Sequence, residues 1–271
     1  MMGMDRRDFI KLAGLSTLLG LGGKSAFELL RPGQVAAAME AEPGALSAKR
    51  WSMVVDMRKL DEQTAQKCIV ACHRVHNVPD FSNPIDPALK VSDANKARWE
   101  IKWTWTAPYD NAFPGVEQEY MDEKVKDLKF LLLCNHCDNP PCVRVCPTKA
   151  TFRREDGIVM MDMHRCIGCR FCMAGCPFSA RSFNWKDPRP YIKEENPDYP
   201  TREIGVVEKC TFCAERLARG LMPACVVASQ GALAFGDLRD PKSKVRELLG
   251  SNFAIRRKPF LGTNPQVYYI V

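Results

Sequence analysis

The chain has 271 residues, 46% of them hydrophobic and 26% charged, which fits one large or two small folded domains and excludes wholesale disorder. Lys and Arg number 39 against 32 Asp and Glu, a net charge of +7; the excess is spread through mixed-sign runs such as 186–193, which argues against nucleic-acid binding. No apolar run is long enough for an ordinary membrane-spanning helix. Cysteine is the outlier, with 13 in all.

The N-terminus carries Asp5-Arg6-Arg7-Asp8-Phe9-Ile10-Lys11, an apolar run from Leu12 to about Leu21, and small residues at Ala36-Ala37-Ala38. A charged region, a short apolar region and an Ala-x-Ala site resemble a twin-arginine export signal. The expectation is a signal peptide over 1–38, a linker over 39–49 and one iron–sulfur domain over 50–271. Export would place the protein in the periplasm. That route carries folded proteins, so a cofactor could be assembled before transport.

Next along the chain comes the first cysteine cluster, Cys68-Ile-Val-Ala-Cys72. A long insertion follows, in which 99–106 alternates apolar and polar residues and predicts a half-buried strand, its tryptophans packed over the core. A second short strand, Phe130–Leu133, leads into the second cluster, Cys134-x2-Cys137-x4-Cys142-x3-Cys146-Pro147. The third cluster is Cys166-x2-Cys169-x2-Cys172-x3-Cys176-Pro177, the spacing of bacterial ferredoxins. The insertion 178–209 is rich in proline and charge and is expected to run over the surface. The fourth cluster is Cys210-x2-Cys213, then Cys225, then Ser229.

A cubane cluster needs four thiolates around it. Three close cysteines wrap one side, and the fourth comes from a partner motif. Zinc ribbons need only two cysteine pairs per metal, so several of these cysteines would be surplus. Pairwise disulfides suit such close spacings poorly. The ferredoxin rule pairs the second and third motifs. Cys134, Cys137 and Cys142 take Cys176 (set A), and Cys166, Cys169 and Cys172 take Cys146 (set B). The fourth motif's Cys210, Cys213 and Cys225 take Cys72 (set C). The reciprocal set is broken: its positions hold Glu62, Ala65 and Ser229, leaving Cys68 an orphan. Three [4Fe–4S] clusters are expected, about 12 iron atoms per chain. The fold expected is α+β, two bacterial-ferredoxin-like units with long insertions, the core of the second spanning 127–180. His136 between two ligands is read as a neighbour of the cluster or exposed. His73, His76 and His164 receive no role. Lys149, Arg165, Arg170 and Lys209 stand beside the cluster loops and either raise potentials or are solvated.

These motifs resemble the four-motif iron–sulfur subunits of membrane oxidoreductases, such as those of polysulfide reductase and of nitrite reduction. The resemblance extends over 50–271 and includes Pro140-Pro141-Cys142, Lys209-Cys210-Thr211-Phe212-Cys213, Pro223-Ala224-Cys225, Phe235-Gly236-Asp237-Leu238 and Leu261-Gly262-Thr263-Asn264-Pro265. Within the family the chain looks most like the DsrO-type subunits of the sulfite-reduction-associated membrane complex. That likeness rests on the leader, Asp56-Met57-Arg58-Lys59, the run Cys72 to Pro79, and Ile101-Lys102-Trp103-Thr104-Trp105. It implies a periplasmic electron-transfer subunit with no catalytic residues or small-molecule substrate of its own. The implied partners are a quinone-binding integral membrane subunit, a multihaem cytochrome c and further redox subunits, in a respiratory complex linked to sulfite or sulfate reduction. The alternative is the electron-transfer beta subunit of a molybdopterin oxidoreductase of the polysulfide reductase kind.

Overall fold

The structure is a computed structural model that describes residues 44–115 and 120–271. The expected signal peptide, and the linker up to residue 43, lie outside the described residues. In chain order the elements are β1 (Trp51–Asp56), α1 (Glu62–Val75), α2 (Asp93–Trp99), β2 (Thr104–Pro108), α3 (Tyr109–Ala112), α4 (Glu123–Lys126), β3 (Lys129–Leu133), α5 (Pro141–Arg144), β4 (Thr151–Arg153), β5 (Val159–Met161), α6 (Phe171–Ala174), β6 (Ser182–Phe183), β7 (Val207–Glu208), α7 (Ala214–Ala218), α8 (Ala224–Ala228), β8 (Leu233–Asp237), α9 (Lys244–Ser251), β9 (Ala254–Ile255) and β10 (Val267–Ile270). The result is a mixed α and β fold built on small sheets.

The largest sheet has the order β8-β1-β10-β9. β1 runs parallel to β10, with Met53 opposite Val267, and antiparallel to β8, with Met53 opposite Phe235. All six β1 residues are buried, because side chains of a central strand alternate between two covered faces. Trp51, Met53 and Val55 join the main core. Val54 meets Ile270 and Val245 of α9 in a smaller core on the other face.

Three two-stranded ribbons complete the sheets: β2 with β3, β4 with β5, and β6 with β7. The strand expected at Phe130–Leu133 is present as β3. The alternating run 99–106 divides differently from expectation. Trp99 closes α2, and the strand begins only at Thr104, where pairing with Leu133 starts. The tryptophan at 103 nevertheless packs in the core, fully buried. The insertion 178–209 departs further from its expected surface path. It contributes β6 and β7, and Arg181, Asn184, Tyr191, Tyr199, Arg202 and Glu208 are buried. Charge does not keep this segment outside, because two of its buried ions pair with each other. Arg202 and Glu208 lie 2.7 Å apart with both side chains inaccessible, and Trp103 Nε1 donates to Glu208 at 2.8 Å. Among the described residues no helix is long and apolar enough to cross a membrane.

One contact ties the large sheet to the strand that delivers the second cysteine motif. Tyr269 of β10 is fully buried among Phe113 and Phe130, edge to face. Its hydroxyl donates to the Leu131 carbonyl at 3.1 Å. Tyr269→Phe keeps the ring and removes this bond, so a loss of about 1 kcal/mol is expected. Thermal melting of the anaerobic protein should read it as a fall of about 2–4 °C.

Candidate metal centres

Three of the four cysteine motifs make the same local turn. The residue just before the second cysteine of each Cys-x2-Cys pair has positive φ: His136 at 41°, Gly168 at 70° and Phe212 at 54°. A left-handed residue in such a turn can bring consecutive backbone N–H groups to one side, a concave arrangement that favours negative charge. Only glycine adopts this conformation freely. A histidine and a phenylalanine accept a cost of about 1–2 kcal/mol each. Their rings stack on one another, with centroids 3.6 Å apart and planes at 18°. Glycine at 168 is required twice over, since a Cβ there would also lie 2.5 Å from the Gly205 carbonyl oxygen.

A short helix follows each of the first two of these turns: α5 after Cys137 carries Cys142, and α6 after Cys169 carries Cys172. Pro140 and Pro141 start α5, because proline supplies helical φ where no N–H is needed. After the third turn α7 intervenes, and α8 carries Cys225.

The set A cysteines, Cys134, Cys137, Cys142 and Cys176, line one cavity with Phe178 and Arg181, about 320 Å³ of unfilled space partly open to solvent. Burial and the neighbouring Cys134 thiol push Cys137 up to about 12. The set B cysteines, Cys146, Cys166, Cys169 and Cys172, line a second cavity of about 260 Å³ with Ile167 and Arg170. This site is the more open, for three of its four thiols are only half-buried. Set C is closed: Cys72, Cys210, Cys213 and Cys225 are all buried. Burial raises the Cys225 thiol well above its usual range, and Cys213, Cys72 and Cys210 add to the effect. Thr104 Oγ1 donates to Cys72 Sγ at 3.3 Å.

All 13 cysteines carry free thiols. Thiols that burial pushes upward, among them Cys137 and Cys176 of set A, Cys172 of set B and Cys210, Cys213 and Cys225 of set C, are neutral on their own, and a metal centre is what deprotonates them. The donor chemistry of sets A, B and C therefore fits thiolate-bound clusters. Set A adjoins both others. Cys134 of set A helps raise the Cys210 thiol of set C, and Cys142 of set A and Cys172 of set B both favour the charged Arg181 guanidinium.

The fourth set does not fit. Glu62, Ala65 and Cys68 belong to the regular helix α1, with none of the left-handed turns seen in the other motifs. Asp61 caps this helix, its carboxylate accepting from Thr64 N at 2.6 Å. Glu62 is exposed and pairs with Lys129 at 2.6 Å. Ala65 and Cys68 are buried in the main core, and the Cys68 thiol donates to the Cys225 carbonyl at 3.3 Å. Ser229 Oγ donates to Val226 O at 2.7 Å and accepts from Leu233 N at 3.1 Å. The candidate oxygen donors are thus committed to the protein.

Sequence reading missed His76. It is buried, one turn after Cys72 at the end of α1, with Nδ1 2.7 Å from Cys72 O and Nε2 2.9 Å from Glu215 Oε1. Its ring stacks on Trp103. His76, Cys213 and Glu215 bring their ligand atoms within 4.8 Å of one another, but both imidazole nitrogens already have these partners. The histidine therefore braces set C. Spacing of four from Cys72 was the available signal. His136 is buried, not exposed; burial together with Lys209, Arg50 and Arg181 holds it well below the usual histidine range. Its neutral ring accepts from Val159 N at Nδ1, 3.1 Å away. Among the basic residues singled out, Arg165 pairs with Asp162 and Arg170 lies over Trp185. Lys209 is buried, and its ammonium donates to the carbonyls of Val159 and Cys210.

Comparison with known proteins places these motifs in context. Residues 127–190 match a 4Fe-4S dicluster domain. Over 98% of its length the chain is 38% identical to an Hdr-like menaquinol oxidoreductase iron-sulfur subunit 1 of Archaeoglobus fulgidus, covering 97% of that protein. It is 35% identical to the iron-sulfur cluster-binding subunit of a menaquinone reductase of Nitratidesulfovibrio vulgaris, over 82% of this chain and 88% of the other. A polysulfide reductase subunit of Wolinella succinogenes is 45% identical over 51% of this chain and 64% of its own length. Full-length similarity to such subunits, together with the dicluster domain, makes this chain a member of the ferredoxin-like iron–sulfur subunits of membrane oxidoreductases, an electron-transfer subunit and not a catalytic one.

Proposed function

We propose that the chain holds three [4Fe–4S] clusters, in sets A, B and C, and relays electrons within a respiratory membrane complex. What supports the reading is that the cysteines of sets A and B each line one cavity, and that Cys72, Cys210, Cys213 and Cys225 are all buried, with Cys68 beside them. A [4Fe–4S] cluster supplies one-electron chemistry when bound. The polypeptide supplies spacing, burial and charge. Residues 50–271 would form two ferredoxin-like units, the second centred on 127–180.

The broken set supports this arrangement. Cys68 adjoins Cys225 of set C, so the loss falls beside set C, away from the link between sets A and B. A gap at one end shortens a relay, whereas a gap in its middle would stop it.

By similarity to the menaquinol and menaquinone subunits, the partner on one side would be a quinone-binding integral membrane subunit. A multihaem cytochrome c or another redox subunit would take the other side, in a complex linked to sulfite or sulfate reduction. The leader at 1–38 would direct the folded subunit to the periplasm. The likeness to the polysulfide reductase subunit favours a second reading, the beta subunit of a molybdopterin oxidoreductase. Purification of the native complex separates the two: haem subunits favour the first, a large molybdenum subunit the second.

Anaerobic iron and spin counting should give about 12 irons per chain. A count of about 16 would refute the loss of the fourth set, and about 8 would refute set C. Cys72→Ser should lose iron from set C, while Cys68→Ala keeps the full complement. Gly168→Ala should disturb set B selectively, because its Cβ collides with the Gly205 carbonyl in a left-handed turn. Loss of one spectroscopic centre with the other two retained is the expected readout.

A further inference from the structure

Arg181 lines the set A cavity and reaches Met161, a residue that lines the set B cavity. The residue is 5% exposed. Its Nη1 donates to Thr151 Oγ1 at 3.1 Å and reaches Met161 Sδ at 3.7 Å. Its Nη2 is buried with no oxygen or nitrogen partner, and the thiols of Cys142 and Cys172 are the side-chain groups within its hydrogen-bond reach. No carboxylate among the described residues forms an ion pair with it; the titratable groups that bear on it most are the thiols of Cys142, Cys172 and Cys134. The other buried arginine of this insertion is different, for Arg202 is paired with Glu208.

A buried guanidinium needs a counter-charge, and leaving it alone in a low-dielectric interior is expensive. Neutral thiols do not provide one. Four thiolates holding an iron–sulfur core do, since the whole carries net negative charge that grows on reduction. The guanidinium stays protonated throughout, so its charge is constant while that of its neighbours changes.

We infer that Arg181 is a shared positioning residue for two clusters: one fixed positive charge, held between set A and set B by Thr151 and Met161, that favours the reduced form of both. The inference rests on the three-cluster reading and adds to it a specific coupling of two sites. Uptake of one electron makes a cluster one charge more negative, so the nearby cation stabilises product over reactant at either site. Set C, whose buried cation neighbour Lys209 donates to backbone carbonyls, is the internal reference.

The test uses the full chain, purified anaerobically with its clusters, and a redox titration followed by electron paramagnetic resonance. Arg181→Met removes the charge at similar length; Arg181→Lys keeps it. In Arg181→Met the midpoints of clusters A and B should both fall by about a tenfold change in the one-electron equilibrium constant, about 59 mV, with cluster C unmoved. Arg181→Lys should hold both near their original values. Full iron loading with A and B unmoved, a shift confined to one cluster, or an equal shift of all three would overturn the inference. Should Arg181→Met fail to load iron, Arg181→Gln repeats the titration. Loading by Arg181→Lys but by neither uncharged variant would carry the same dependence on charge, whereas loss from all of them would assign Arg181 a purely structural role. An iron count in the unmodified chain other than about 12 tells instead against the three-cluster reading.

Discussion

The constraint on which this molecule depends is the tight turn that brings two cysteines three residues apart to face the same point. On a regular helix thiols at i and i+3 share one face, but the backbone N–H groups are spent inside the helix and do not turn toward the site. The chain solves the problem by reversing handedness at His136, Gly168 and Phe212, each immediately before a cysteine. Two of these residues are not glycine, so the turn is strained, and strain persists only where surrounding structure holds it. Here the holding is mutual. The His136 and Phe212 rings stack face on face, so the loop of set A and the loop of set C brace each other.

The first motif shows what happens when that requirement is lifted. Its sequence from Glu62 to Val75 contains Glu, Gln, Ala and Lys and no glycine or proline. Such residues favour helix, and Asp61 supplies the cap. Nothing in the stretch opposes a regular helix, and α1 fills the position with packing. Ala65 and Cys68 enter the main core. The buried side of α1 carries two cysteines, Cys68 and Cys72, and in the proposed arrangement only Cys72 serves set C. In the arrangement proposed here, the positions without a thiol, Glu62 and Ala65, are also residues that suit a helix.

This explains what could be read from the chain directly. Cysteine spacing is legible because three ligands of each set are local, and the exchange of the fourth follows from the same rule. The strand Phe130–Leu133 is legible because an apolar run feeding Cys134 has only one compact solution. The run 99–106 misleads because alternation also occurs where Trp99 ends a helix and Trp103 enters the core before pairing begins. The insertion 178–209 misleads for another reason. Its charges are counted as surface by composition, yet Arg202 and Glu208 neutralise each other inside, and only the fold reveals that pairing. His76 and Arg181 escape for the same reason, as each acquires meaning from residues distant in sequence.

The buried cations then separate by what answers their charge. Arg50 has Asp138 at 3.3 Å, Arg202 has Glu208, and Lys209 and Arg257 donate to backbone carbonyls. Arg181 alone among these faces chiefly thiols. A positive residue in that position is a poor choice for a protein that folds first and acquires its cofactor later, because the empty site would confront a buried charge with neutral sulfur. It is a good choice where thiolate, iron and guanidinium come together during folding. In the arrangement proposed here, assembly and folding are then parts of one equilibrium, and a folded subunit delivered to the membrane complex is already a loaded one.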